Sequence, residues 1–206
     1  MNKAKILLIT LFSVILVLCL YFLNIIQKMK QDQTNMTDFA AQIQEKEDFF
    51  RSNFELNIRM TGLKASDKYC MESQNKGEML SEMAKDKPLL IYRFTGSNCK
   101  TCYTDVFIEL QDEISDNYIL SHLIALCSNL TEREILRLKK TYKIQFPIYL
   151  IIPDSFDWIL ENENVPYFFV LHPNMNISHI YMPNKAYPKL NRQYLEEILT
   201  HLAAGR

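Results

Sequence analysis

The sequence predicts an α/β sandwich built on a mixed sheet, with a helical appendage at the N-terminus. Three observations carry that expectation. Short apolar runs at 88–94, 122–127 and 147–152 alternate with helical patterns, as in parallel strands joined by crossover helices. Two further runs, 166–171 and 177–181, are separated only by His172-Pro173-Asn174-Met175-Asn176, a hairpin turn that makes the last strands antiparallel. Residues 6–26 contain no charged side chain, which sets the N-terminus apart from all that follows.

Length and charge narrow the class. The 206 residues suit one domain plus an appendage, and 23 basic against 24 acidic side chains leave a net charge of -1. That balance argues against nucleic acid as a partner, since such binders carry a basic excess. Four glycines and seven prolines exclude collagen-like and low-complexity chains. Five cysteines are too few for a disulfide scaffold, so their spacing matters more than their number.

Taken in order, residues 1–5 form a short tail and residues 6–26 a transmembrane anchor. At about 1.5 Å per residue the run spans a hydrocarbon core about 30 Å thick. A cleaved signal would have a shorter apolar stretch ending in small residues, whereas this one continues through Leu20, Tyr21, Phe22 and Leu23. Lipidation at Cys19 is the rival reading, but Leu16-Val17-Leu18 lacks the small residue that processing favours. Lys3 and Lys5 before the run face Lys28 and Lys30 after it, so lysine asymmetry is slight. The short tail favours an N-terminus inside. That orientation gives a single-pass protein with everything after Ile26 outside the cytoplasm.

Residues 27–50 are polar and free of Gly and Pro, and read as a helical stalk. Met36, Ala40, Ile43 and Phe50 suggest a stripe that Glu47 breaks, either a short coiled coil or a helix leaning on its own domain. The globular domain is assigned to 51–206. Its first element, 54–60, alternates apolar and polar residues and ends at Thr61-Gly62, so a strand is expected. A short helix follows at 78–85, then the 88–94 strand. Val106, Phe107, Leu110 and Ile114 share a helix face before the 122–127 strand. The next helix carries Glu132 and Glu134 early and Lys139, Lys140 and Lys143 late, as the helix dipole favours. An acidic connector at 154–164 holds the single Trp, Trp158, and an amphipathic helix at 191–202 closes the chain.

The chemistry centres on Cys99-Lys100-Thr101-Cys102, placed just after a buried strand where a helix opens. Two cysteines at this spacing on a helix start bring both sulfurs within bonding distance. Unpaired N–H groups and the dipole stabilise a thiolate at the first, and Lys100 adds positive charge beside it. Cys99 is therefore the expected nucleophile and Cys102 the resolving thiol. No metal is expected, because Cys70 and Cys127 are isolated and zinc would want two more ligands at regular spacing. Haem attachment would need His where Tyr103 stands. A peroxidase-like cysteine would want Thr three residues earlier, but Thr95 precedes Cys99 by four. No cofactor is called for.

On these residues the sequence resembles the thioredoxin superfamily, especially the membrane-anchored, TlpA-type oxidoreductases of the bacterial cell envelope. The resemblance covers roughly 78–206: the strand before Cys99, the C-x-x-C, the helix after it, and Val165-Pro166-Tyr167-Phe168-Phe169-Val170-Leu171-His172. It implies a thioredoxin-like fold, a central mixed sheet flanked by helices. It further implies a cis peptide bond before Pro166 and a substrate groove of Val165, Pro166 and Tyr167 facing the redox pair. Val165 would offer its backbone to an extended substrate.

The sequence also departs from that family. Asn98 replaces the aromatic residue usual before the first cysteine, and no Gly-Pro separates the cysteines. Arg93 stands where thioredoxins carry a buried acid, leaving Asp105 or Glu109 as substitutes, though both read more simply as solvated helix carboxylates. Arg93 either modulates the site as a buried cation or reaches water with its head; the second is favoured. Cys127 reads as a small core residue, Cys70 as part of a polar loop, and a bridge between them as a minor alternative. His122, His172, His179 and His201 show no ligand spacing and read as structural or surface residues, His172 alone being expected near the redox site.

Two functions compete. The first is a thiol–disulfide oxidoreductase whose partners are protein disulfides or dithiols and a membrane redox protein. The second is a thioredoxin-like binding module with a structural disulfide.

Overall fold

A computed structural model of the protein describes residues 3–72, 76–98, 100–113, 121–153, 156–163 and 165–204. The chain divides into two compact units, Met1–Ser52 and Asn53–Arg206. Helix α1, Lys3–Met60, makes up the described part of the first unit and continues into the second.

Within the first unit the stalk segment 27–50 is helical throughout. Its sequence contains no Gly or Pro, and side-chain pairs four residues apart reinforce it: Arg51 donates to Glu47 at 2.9 Å and Gln44 to Asp48 at 3.1 Å. Met29, Met36, Phe39 and Ile43 are exposed. Among the described residues no helix is long and apolar enough to cross a membrane. The side chains of residues 3–10, 13, 14 and 17, much of the 6–26 run, lie outside the described residues.

Residues 54–60 correct the first expectation: they are the last turns of α1, not a strand. The alternation was incidental. Phe54 and Ile58 are 66% and 65% exposed, whereas the inward face is Asn53, Leu56, Asn57 and Met60, at helical spacing. Gly62 then ends the helix with φ +88, the left-handed conformation glycine adopts without penalty. Residues 61–65 run on beside the start of the last strand, Ala65 N–H donating to the Met175 carbonyl at 2.8 Å.

The second unit then follows the order β1 (Tyr69–Glu72), β2 (Lys76–Met79), α2 (Leu80–Ala84), β3 (Leu89–Thr95), α3 (Lys100–Glu113), β4 (Leu123–Ser128) and α4 (Glu132–Thr141). It closes with β5 (Ile148–Leu150), α5 (Ile159–Glu163), β6 (Tyr167–Leu171), β7 (Ile177–Tyr181) and α6 (Pro188–Ala204). The β1–β2 hairpin was not expected from its polar sequence; its strands are four residues each and sit at the sheet edge. The acidic connector likewise contains a short helix, α5.

Among the described residues seven strands form one mixed sheet in the order β2-β1-β5-β4-β3-β6-β7. β3 pairs parallel with β4 and antiparallel with β6. Its near-continuous apolar sequence is explained by burial on both faces. Leu90, Tyr92 and Phe94 face a cluster with Val106, Phe107 and Leu110 of α3 and Leu195, Ile198 and Leu199 of α6. Leu89 and Ile91 face the opposite cluster, with Leu80 of α2, Leu160 of α5 and Met60 of α1. Each large side chain so buried contributes about 1.5–3 kcal/mol. α4 carries its own ends: Thr131 and Glu134 form a reciprocal capping box, and Ile144 N–H returns to the Lys139 carbonyl at 3.0 Å with Lys143 left-handed.

Candidate redox site

β3 delivers the motif to one end of the sheet, and the connection after it is tightly held. Gly96 N–H donates to the Ser128 carbonyl at 2.8 Å, tying the turn to the end of β4. Asn98, 5% exposed, accepts from Thr95 N–H through Oδ1 at 2.7 Å. Asn129, left-handed at φ 57, donates from Nδ2 to Thr95 Oγ1 at 3.2 Å and to Ser97 Oγ at 3.4 Å. Only glycine fits at 96, because a Cβ there would overlap the Asn129 carbonyl oxygen.

The sequence then places Cys99 immediately before Lys100, the first residue of α3, and Cys102 on the first turn. Cys99 lies outside the described residues, as do the side chains of Lys100, Cys102 and Glu109. The first turn of α3 contains no acid to oppose the positive end of the dipole. Asp105 lies on the next turn and is half-buried.

Arg93 overturns the favoured expectation that its head reaches water, for it is 3% exposed. The guanidinium meets Glu161 of α5 in a two-pronged ion pair, Nε to Oε1 at 2.8 Å and Nη2 to Oε2 at 2.7 Å. It also donates to the Phe94 carbonyl at 2.6 Å and to Ser128 Oγ at 2.9 Å. A buried charge is tolerable only when paired and hydrogen-bonded, and this one is both. Glu161 completes the network by accepting from the Tyr167 hydroxyl at 2.7 Å. Burial, and then the Glu161 charge, push the Tyr167 phenol well above its ordinary pKa, so it stays a donor.

The register puts Tyr167 opposite Arg93, so Pro166, buried just before β6, belongs to the same end of the sheet as the Cys99 turn. Among the described residues no peptide bond is cis. The Val165–Pro166 bond is therefore trans, where the resemblance implied cis, in line with the ordinary preference of about 0.5–1 kcal/mol for trans. Val165 is 38% exposed, while Tyr167 is 1% exposed and turned to Glu161. The niche among Thr95, Asn98, Leu160, Glu161, Val165 and Tyr167 has a volume of about 10 Å³. That is room for about one water.

Sequence comparison matches no family model and no curated protein. Solved structures do match. The thioredoxin domain of a thiol-disulfide oxidoreductase from Bacteroides vulgatus superposes with a TM-score of 0.52 at 12% identity, covering 68% of this chain and 96% of that one. A thiol:disulfide interchange protein from Bacteroides sp. gives 0.52 at 12% identity over 71% and 92% of the two chains. A candidate protein disulfide isomerase from Bacteroides thetaiotaomicron gives 0.51 at 17% identity over 70% and 91%. The fold is thioredoxin-like. At such identities the likeness concerns the fold alone.

Within this thioredoxin-like domain the remaining expectations separate. Cys70 is not in a loop: it is a fully buried residue of β1. Cys127 is fully buried in β4. The two belong to the clusters on opposite faces of the sheet and are free thiols, which removes a bridge between them. Burial pushes both up to about 12. His172 is also misplaced by the sequence reading. β6 runs antiparallel to β3, with Leu171 opposite Leu89, so His172 lies at the end of the sheet away from the Cys99 turn. Among the described residues no three His, Cys, Asp or Glu side chains are grouped to hold a metal ion.

Glu161, Asn129 and Gly96 were missed as site residues. Glu161 had a signal, since an Arg inside an apolar strand requires a carboxylate and the 154–164 connector supplies several. Asn129 had none, because its contact with the turn depends on β3 and β4 being neighbours.

Proposed function

We propose that the protein is a membrane-anchored thiol–disulfide oxidoreductase that exchanges disulfides with envelope proteins through Cys99 and Cys102. The observation that carries this reading is the C-x-x-C sequence at the opening of α3, directly after β3, on a thioredoxin-like fold. Thiolate Cys99 attacks one sulfur of a partner disulfide, forming a mixed disulfide and releasing the other sulfur as a thiolate. Cys102 then loses its proton and attacks Cys99 Sγ. The Cys99–Cys102 disulfide forms, and the partner leaves with both its cysteines reduced. Run backwards, the same steps oxidise a dithiol. Each cycle needs a second redox partner to restore the starting state, and a membrane protein is the partner an anchored domain would meet. Residues 6–26 would supply the anchor, holding the domain on the periplasmic or outer face of the cytoplasmic membrane. Val165, Pro166 and Tyr167 stand as the proposed substrate contacts, with the side chain of Val165 and the backbone beside it the accessible part. Lys100 raises thiolate character directly. Arg93, neutralised by Glu161, acts as a structural support of the turn.

The paired Arg93, in place of a lone buried acid, and the trans bond at Pro166 favour a second reading, a binding module with a structural disulfide. Insulin disulfide reduction by residues 51–206 separates the two. The oxidoreductase reading expects turnover that Cys99→Ser abolishes. A Cys99 thiol near the ordinary pKa of about 8.5, with no turnover, would leave the binding module standing.

A further inference from the structure

At the end of the sheet away from Cys99, three of the four histidines of the chain converge on a cavity of about 230 Å³. They come from different elements: His172 follows β6, His179 lies in β7 and His201 in the last turn of α6. The backbone is bent to achieve this. Between Phe168 and Val170 the β6–β7 register shifts, leaving an extra residue on β7, and His179 there is left-handed at φ 51. Such bulges re-aim a side chain at a local conformational cost. Ser178 Oγ lies 2.7 Å from His172 Nε2 and 2.8 Å from His179 Nδ1, so one hydroxyl links both rings. Nε2 of His179 is the ring nitrogen that Ser178 does not use, and the His179 and His201 ring centroids are 6.0 Å apart.

The walls are Pro88, Val170, Leu202 and Ala204. No carboxylate lines the cavity among the described residues. Of the charged residues close in sequence to the lining, Glu197, one turn before His201, accepts from Gln193 at 2.9 Å, and Lys87 donates to Ser121 at 2.9 Å. From α6, Tyr194 donates to the His179 carbonyl at 2.6 Å.

We propose that this cavity binds a small monocarboxylate with an apolar body, taken up together with a proton onto the histidine cluster. Neutral imidazoles are poor anion hosts, whereas a protonated pair presents N–H donors and charge that nothing in the lining neutralises. Burial, and then the neighbouring His201 and His172, lower the His179 pKa, so near neutral pH the ring is uncharged until an anion stabilises its cation. Anion binding and proton binding therefore reinforce each other. An apolar cavity of about 150 Å³ holds benzene, so this larger one has room for a ring and its carboxylate. The site is independent of the redox reading.

Benzoate is the probe, titrated calorimetrically into the full-length chain in detergent micelles, with empty micelles subtracted. With one proton taken up, affinity should rise about tenfold from pH 7.5 to pH 6.5. Acetate, which lacks the apolar body, should bind at least about tenfold more weakly. His179→Gln and His201→Gln should each weaken benzoate at least about tenfold with melting temperature at pH 7.5 unchanged. If either variant misfolds, Ala204→Glu serves instead, since a tethered carboxylate at the rim should compete with benzoate. No heat above the micelle blank, affinity independent of pH, or unchanged binding in folded variants would each overturn the site. So would stoichiometric Zn²⁺ binding that excludes benzoate, which would make the cluster a metal site.

Discussion

Arg93 and Glu161 stand 68 residues apart in sequence, yet their side chains form a buried two-pronged ion pair. The pair binds the middle of the sheet to α5 and lies beneath the turn that leads to Cys99. Removing one partner strands a charge, at a cost of about 3–5 kcal/mol. Arg93→Met should lose that much in urea unfolding of a chain lacking residues 1–27. Arg93→Met with Glu161→Leu should recover at least about 1 kcal/mol of the loss, because the two sites are coupled. Additive losses would show that the pair acts as two independent contacts.

Asn53 and Asn57 act as a substitute strand along the free edge of β7. Asn57 Oδ1 accepts from Ile180 N–H at 2.9 Å while its amide donates to the Ile180 carbonyl, and Asn53 Oδ1 accepts from Met182 N–H at 2.7 Å. Replacing Asn57 with Ala leaves partly buried backbone groups unpaired, costing about 1–3 kcal/mol. The readout is amide exchange: Ile180 N–H should lose protection before the rest of the sheet does. Unchanged exchange at Ile180 would mean that water satisfies this edge equally well.

Gly96→Ala forces a Cβ into the Asn129 carbonyl. Overpacking of this kind costs about 1–3 kcal/mol, and the displacement falls on the turn that precedes Cys99 in the chain. Insulin reduction should therefore fall more in Gly96→Ala than in Gly62→Ala, although Gly62 is the residue with positive φ. A larger loss at Gly62 would place the sensitive hinge at the end of α1 instead.

Cys70 and Cys127 should resist alkylation. Their thiols, held near 12 by burial, form almost no thiolate at pH 8. In a Cys99→Ser, Cys102→Ser chain lacking residues 1–27, native protein should take up no iodoacetamide within minutes and two equivalents after unfolding in urea. Rapid native labelling of either would show that its strand opens.

His179 makes stability depend on pH in a stated direction. Its folded pKa lies below the unfolded value of about 6.5, so the unfolded chain binds more protons as pH falls. The contribution is fully present above about pH 6.5 and is lost as pH drops below it. Melting temperature should decline between pH 7 and 5.5, and His179→Gln should flatten that decline. A steeper decline in the variant would reverse the sign.

The sequence alone determined the strands and helices from β3 to α6 apart from α5, because each buries a continuous run or a face at its own period. It also carries the C-x-x-C, with Cys99 before α3 and Cys102 on its first turn, a local pattern on which the proposed chemistry rests. Residues 54–60 misled it, since four alternating apolar residues fit either period and only the docking of Asn53, Leu56, Asn57 and Met60 on the domain selects the helix. The β1–β2 hairpin was hidden because its strands bury little besides Cys70. Tertiary structure alone decided the partner of Arg93, the separation of Cys70 from Cys127, and the convergence of His172, His179 and His201. Each joins residues from separate elements, and which elements become neighbours is set by the strand order of the sheet, which no local run of residues encodes.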